Sequence, residues 1–378
     1  MPSVSLNPPA RRAHALVNAL LIALGLLGLA LAANSLVNTL AAASPGSPER
    51  FSVTGSEVRI YDLAGQARLT AGNGTAVVVL VTRGGGDSGQ LKVATGEIEG
   101  AQTLRVIFPS DRVIYPAMGH DFNTEVQVRD DGTFHEGHDH WSMSGHRVRI
   151  SSHGSGLDAH ADLEIQVPRN QQLKLHLAAG DVNVKNVDGE LLLDTGAGDV
   201  TGSGTRGKLK VDTGSGDVTL SDAQGELDVD TGSGDVELSG MKGEKAKIDT
   251  GSGRIRASDV AVQGLDLDTG SGGVEASGVK TRLLRVDTGS GSVDIGLLAA
   301  AEKIGVDTGS GSVTLRVPSS LGADISFETG SGDFHTDLPV QIQQLRDGSY
   351  RGKLGDGSAR VIVETGSGSL RLMASQTK

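Results

Sequence analysis

The pentapeptide DTGSG, or a near copy of it, recurs nine times in the second half of this 378-residue chain, and its spacing limits the possible folds to very few. The acidic residue of each copy is Asp194, Asp212, Asp230, Asp249, Asp268, Asp287, Asp307, Glu328 and Glu364, at intervals of 18, 18, 19, 19, 19, 20, 21 and 36. A fixed period near 20 residues marks a solenoid in which one repeat is one coil. The last interval has room for one degenerate copy between Glu328 and Glu364.

Alternation flanks every copy, the pattern of a half-buried strand. One residue before the acid the chain reads Leu193, Val211, Val229, Ile248, Leu267, Val286, Val306, Phe327 and Val363. A second apolar column lies two residues earlier, from Leu191 to Val361, and a third follows the glycines, from Val200 to Leu370. The sequence therefore predicts an all-β, single-chain parallel β-solenoid (β-helix) of about 18 to 20 residues per coil, each coil a strand, a turn and a second strand. The outward column between the two leading apolar ones reads Lys210, Asp228, Lys247, Asp266 and Arg285. In-register stacking would set these opposite charges against one another at about 4.8 Å.

The motif itself reads as a corner. An Asp side chain can accept hydrogen bonds from nearby backbone amides, and glycines such as Gly214 and Gly216 supply positive φ at a tight reversal. All nine acids are accordingly expected to be structural turn residues. The Thr column from Thr195 to Thr365 has the parity of the buried positions and should point inward.

Ahead of the repeats the chain divides by composition. Residues 1–14 form a basic tail carrying Arg11 and Arg12, and residues 15–33 are almost wholly apolar. At about 1.5 Å rise per residue that stretch nearly spans a hydrocarbon core of about 30 Å. It reads as a transmembrane anchor with a cytoplasmic N-terminus, or as the h-region of a cleaved signal. Either reading exports the remainder, as a membrane-anchored extracytoplasmic domain or a secreted or periplasmic one. Residues 34–50 are a linker, residues 51–176 a β-rich head with a His-rich loop, and residues 177–378 the solenoid with its C-terminal cap. Gly180-Asp181-Val182 reads as an imperfect opening copy, and the stretch from Pro339 to Gly357 with the closing strand Ser369 to Met373 as a cap.

The reiterated VDTGSGDV core at Val211–Val218 and Val229–Val236, with the segment Gly156–Pro168 that leads into it, resembles a bacterial envelope family of adhesin-like domains of unknown function with β-strand repeats. The resemblance covers roughly residues 51–373. It implies an extracytoplasmic solenoid with an adhesive or scaffolding role, and it brings no catalytic residues.

Rival chemistries fit less well. Asp-Thr-Gly-Ser is also the aspartic protease motif, but that chemistry needs two facing copies, and here nine stand in a row. A calcium ladder between stacked turns needs a sustained Asp after the second glycine, whereas Asp199, Asp217 and Asp235 give way to Arg254, Gly273, Ser292 and Ser312. His135, His138 and His140 are candidate zinc or copper ligands in a loop rich in turn formers, which gives a metal-responsive envelope sensor as one alternative. A carbohydrate-active β-helix enzyme is the other, but the only aromatics after Leu177 are Phe327, Phe334 and Tyr350. A net charge of −12 excludes a nucleic-acid binder, and the absence of cysteine excludes disulfides and thiolate metal sites. The expectation is a non-enzymatic envelope scaffold or adhesin without a cofactor. Its partners are the membrane, through the N-terminal segment, and envelope polysaccharide or other envelope proteins.

Overall fold

The computed structural model describes residues 46–134, 145–346 and 348–375. Residues 45–378 form one compact unit. Among the described residues there is no α-helix, and nearly every strand belongs to one of two long sheets of 15 and 14 strands.

Each repeat gives one strand to each sheet. Arg206–Ser215 joins the 15-stranded sheet and Val218–Ser221 the 14-stranded one, and the coils before and after repeat the assignment. Successive coils pair in parallel and in register, so Lys210 stands beside Asp228, Asp228 beside Lys247, Lys247 beside Asp266 and Asp266 beside Arg285. The three apolar columns lie between the sheets and are buried except at the partly buried Phe334; Leu193, Val211, Val229, Ile248 and Leu267 are each fully inaccessible. The core is thin and aliphatic because every coil places the same β-branched and leucyl side chains at the same height.

The solenoid starts earlier in the chain than its motif. Glu57–Ala64 pairs in parallel with Gln171–Ala179, and Ala67–Ala71 pairs with Val182–Lys185. Tyr61-Asp62-Leu63-Ala64-Gly65-Gln66-Ala67 thus occupies the place of a DTGSGDV corner, and residues 72–170 are inserted between this first coil and the second. The boundary expected between residues 176 and 177 falls inside Gln171–Ala179. Within the insertion, Arg112–Ile114, Asn123–Val128, His146–Ser151 and Leu157–Asp158 form a separate four-stranded sheet. The imperfect copy at Gly180-Asp181-Val182 is a true corner, since Gly180 stacks directly on Gly65.

At the far end the coils leave chain order. Lys303–Thr308 pairs with Ala359–Thr365, not with the next strand in sequence, and Ala323–Thr329 lies on the other side of Ala359–Thr365. In the second sheet Leu370–Ala374 sits between Val313–Val317 and Phe334–Thr336 in the same way. The chain skips one coil's width, turns back through the antiparallel hairpin of Gln341–Arg346 and Ser349–Leu354, and then fills the gap with its last coil. The interval of 36 therefore holds a hairpin and no degenerate coil. The hairpin is outermost at this end of the 15-stranded sheet, while the closing strand, read from sequence as part of a cap, is interior. Phe327 and Phe334 explain the order, because bulky rings fit the terminal layer, where no further coil must stack. Phe327 is buried there, with the Tyr350 ring of the hairpin stacked on it at 5.5 Å.

Candidate functional site

The threonine of the motif does the work of the corner. Thr250 Oγ1 donates to the Gly234 carbonyl of the previous coil at 2.9 Å and accepts the Gly253 amide of its own turn at 3.1 Å. Thr269, Thr288 and Thr308 repeat both bonds, and the whole column from Thr195 to Thr365 is buried. One hydroxyl thus pairs two backbone groups that the interior would otherwise leave unsatisfied.

The glycines have a different reason from the one the sequence suggested. Gly180 and Gly198 hold positive φ, but Gly214, Gly216, Gly232 and Gly234 do not. They are glycine because a Cβ on Gly234 would overlap the Gly216 carbonyl oxygen, and one on Gly232 the Gly214 oxygen. Close stacking of backbone on backbone leaves no space for a side chain.

The carboxylates that accept backbone amides are those after the second glycine. Asp181, Asp199, Asp217 and Asp235 each accept the amide of the equivalent residue one coil on, at 2.7 to 3.0 Å. The acids that open the motif are strand residues facing outward from the 15-stranded sheet. They stack in one continuous column, Asp194 to Asp212 and onward through Asp307, Glu364 and Glu328. Among the described residues, no backbone amide bonds their carboxylates. This difference from a turn-forming role follows from their position, one residue before the reversal begins.

The column begins in a closed setting and opens along the solenoid. Asp194 is buried, its Oδ2 lying 2.7 Å from His176 Nδ1, and the His176 ring stacks on Tyr61 at 4.7 Å. Phe134 meets both rings edge-on, so the inserted head covers this end. Further along, partial burial and then the neighbouring carboxylates push Asp212, Asp230 and Asp268 above the ordinary carboxylate range. Lys247 Nζ reaches Asp249 at 3.3 Å, and Arg285 reaches Asp287 at 3.2 Å. Desolvation works against the Lys247 ammonium, but the bond to Asp249 and the charges of Asp249, Asp228 and Asp230 outweigh it and raise its pKa.

On this same face the columns lose their side chains at Gly264 and Gly305, which opens a groove of about 460 Å³. Leu283, 51% exposed, and Ile362 form its floor, with Lys303 on one side and Asp287, Asp307 and Glu364 on the other. No aromatic side chain lines it.

The first coil holds one buried charge-bearing group. Asp62 takes the place of the motif threonine and is fully inaccessible; Oδ1 accepts the Ala64 amide at 3.4 Å, while among the described residues nothing pairs with Oδ2. Burial drives its pKa well above the usual range, with Asp162 adding to the effect. The sequence signal for this coil was present in Val58, Ile60 and Gly65, but its corner shares only one glycine with the motif.

His135, His138 and His140 lie outside the described residues, as do residues 15–33. Among the described residues no group of three or more His, Asp or Glu side chains is arranged to hold a metal ion, and no helix is long and apolar enough to cross a membrane.

Two solved structures are similar to this chain. One is described as a putative cell adhesion protein from Clostridium sporogenes ATCC 15579, 10% identical, covering 86% of this chain and 99% of its own, with a TM-score of 0.18. The other is described as a putative adhesin from Bacteroides fragilis NCTC 9343, 12% identical, covering 88% and 99%, with a TM-score of 0.33. No curated protein matches the chain. Residues 157–226 and 208–372 match the Toastrack DUF4097 family, a span of more than half the sequence, and the chain belongs to that family.

Proposed function

We propose that the chain is a non-enzymatic β-solenoid exported to the cell envelope, where it acts as a scaffold or adhesion module. The observation that carries this reading is how the repeated motif is used. Its threonines and glycines are consumed in joining coil to coil, and only the acidic column remains on an open face. A catalytic site concentrates perturbed groups in an enclosed, water-poor cleft. Along the acidic column the perturbed carboxylates are spread over an open sheet, and no aromatic side chain lines the groove beside them. A rigid rod with regularly spaced charge suits multivalent contact with envelope polymers or proteins.

The N-terminal apolar stretch, residues 15–33, would carry the rod across or onto the membrane, with Arg11 and Arg12 held in the cytoplasm. The test has two arms. A tag placed after Lys378 should be cleaved by protease added to spheroplasts, and isolated envelope polysaccharide should co-sediment with the protein while keeping its chain length. A protected tag would refute export, and shortened glycan would replace the scaffold reading with the enzymatic one.

A further inference from the structure

The two ends of the solenoid are finished differently. At the head end the sheets close with Lys92–Ile98, which carries Lys92 and Glu97, and Glu49–Val53, which begins with Glu49 and Arg50. Charges on an edge strand are a common protection against pairing with another chain. At the other end the outermost strand of the 15-stranded sheet is Gln341–Arg346, uncharged until its last residue.

This strand also leaves core surface uncovered. The 14-stranded sheet stops at Phe334–Thr336, whereas the 15-stranded sheet continues past Ala323–Thr329 by the two strands of the hairpin. Within the hairpin Ile342 faces Gly352 and Leu345 faces Tyr350, with a register shift between Ile342 and Gln344. The irregularity brings two residues three apart onto one face. That face is the core side, because Tyr350 stacks on the buried Phe327. Ile342 and Leu345 are nevertheless 58% and 63% exposed.

We infer that this tip is an interface with a second copy of the chain, formed by antiparallel pairing of Gln341–Arg346 with itself. A two-fold axis between Gln343 and Gln344 sets Ile342 of one copy opposite Leu345 of the other, Gln343 opposite Gln344, and Arg346 opposite Gln341. No like charges meet, and the two uncovered apolar residues cover each other on the core side of the joined sheet. The pairing is isologous, so it closes at two copies. The charged strands at the head end give no equivalent contact, and the assembly does not extend into a filament. This inference does not depend on the adhesive or scaffolding role, since it concerns only the association of purified chains.

The test is sedimentation velocity of the full chain in density-matched detergent over a wide concentration range. The wild type should pass from one copy to two and stop. Leu345→Lys should raise the dissociation constant at least tenfold, with an unchanged melting temperature because the site is exposed in the single copy. Ile342→Glu combined with Leu345→Lys sets opposite charges across the two-fold and should restore the dimer. A wild type that stays single, a dimer indifferent to Leu345→Lys, a pair of substitutions that fails to restore it, or a mass that keeps growing past two copies would each overturn the inference.

Discussion

At the residue level, the repeated motif separates into parts with different physical roles, and single substitutions should show them. Thr250→Val keeps the shape but strands the Gly234 carbonyl and the Gly253 amide in the interior, so a loss of about 1 to 3 kcal/mol is expected in chemical denaturation, with Thr250→Ser nearly neutral. Asp212→Asn should do the opposite by a few tenths of a kcal/mol near neutral pH, as expected for a partly exposed charge. The sign follows from the raised pKa: the folded state holds the proton more tightly than the unfolded chain, so stability falls as pH rises from the ordinary value of 3.8 through the folded value. The advantage of Asn should therefore vanish in melts performed below pH 3.8. The inward Thr column was legible from parity alone. Its bond to the previous coil was not, because the Gly234 carbonyl belongs to a neighbouring coil that a single repeat does not reveal.

The strand is the level at which the sequence was most readable. Three uninterrupted apolar columns set the inward face, and the alternating charges from Lys210 to Arg285 set the register that the sheet adopts. Lys247 lies between Asp228 and Asp266 and bonds Asp249, so Lys247→Glu gathers three acids around a new one and should cost about 1 kcal/mol. Adding Asp228→Lys should recover a measurable part of that loss in a double-mutant cycle, whereas simple additivity would deny the contact. The first coil escaped the pattern for a definite reason. Tyr61, Asp62 and Leu63 replace the acid, threonine and first glycine, and residues 72–170 separate this coil from the one it stacks on.

For the molecule as a whole, periodicity determines what a coil is but not where it goes. The coils ending in Glu328 and Glu364 carry the same three apolar columns, and the alignment alone permits either order. The aromatic layer of Phe327, Phe334 and Tyr350 breaks the tie by requiring the end position, and the hairpin returns the chain so that the last coil can be inserted. Both the outermost hairpin and the open edge of Gln341–Arg346 follow from that insertion. Engineered cysteine pairs test it directly in a chain that has no cysteine of its own. Asp307 is adjacent to Glu364 and two strands from Glu328, a separation of about 9.6 Å against the limit of about 7 Å that a disulfide can bridge. On mild oxidation, Asp307→Cys with Glu364→Cys should form the intramolecular bond and Asp307→Cys with Glu328→Cys should not; the reverse result would mean that the coils follow chain order and would contradict the inserted-coil architecture.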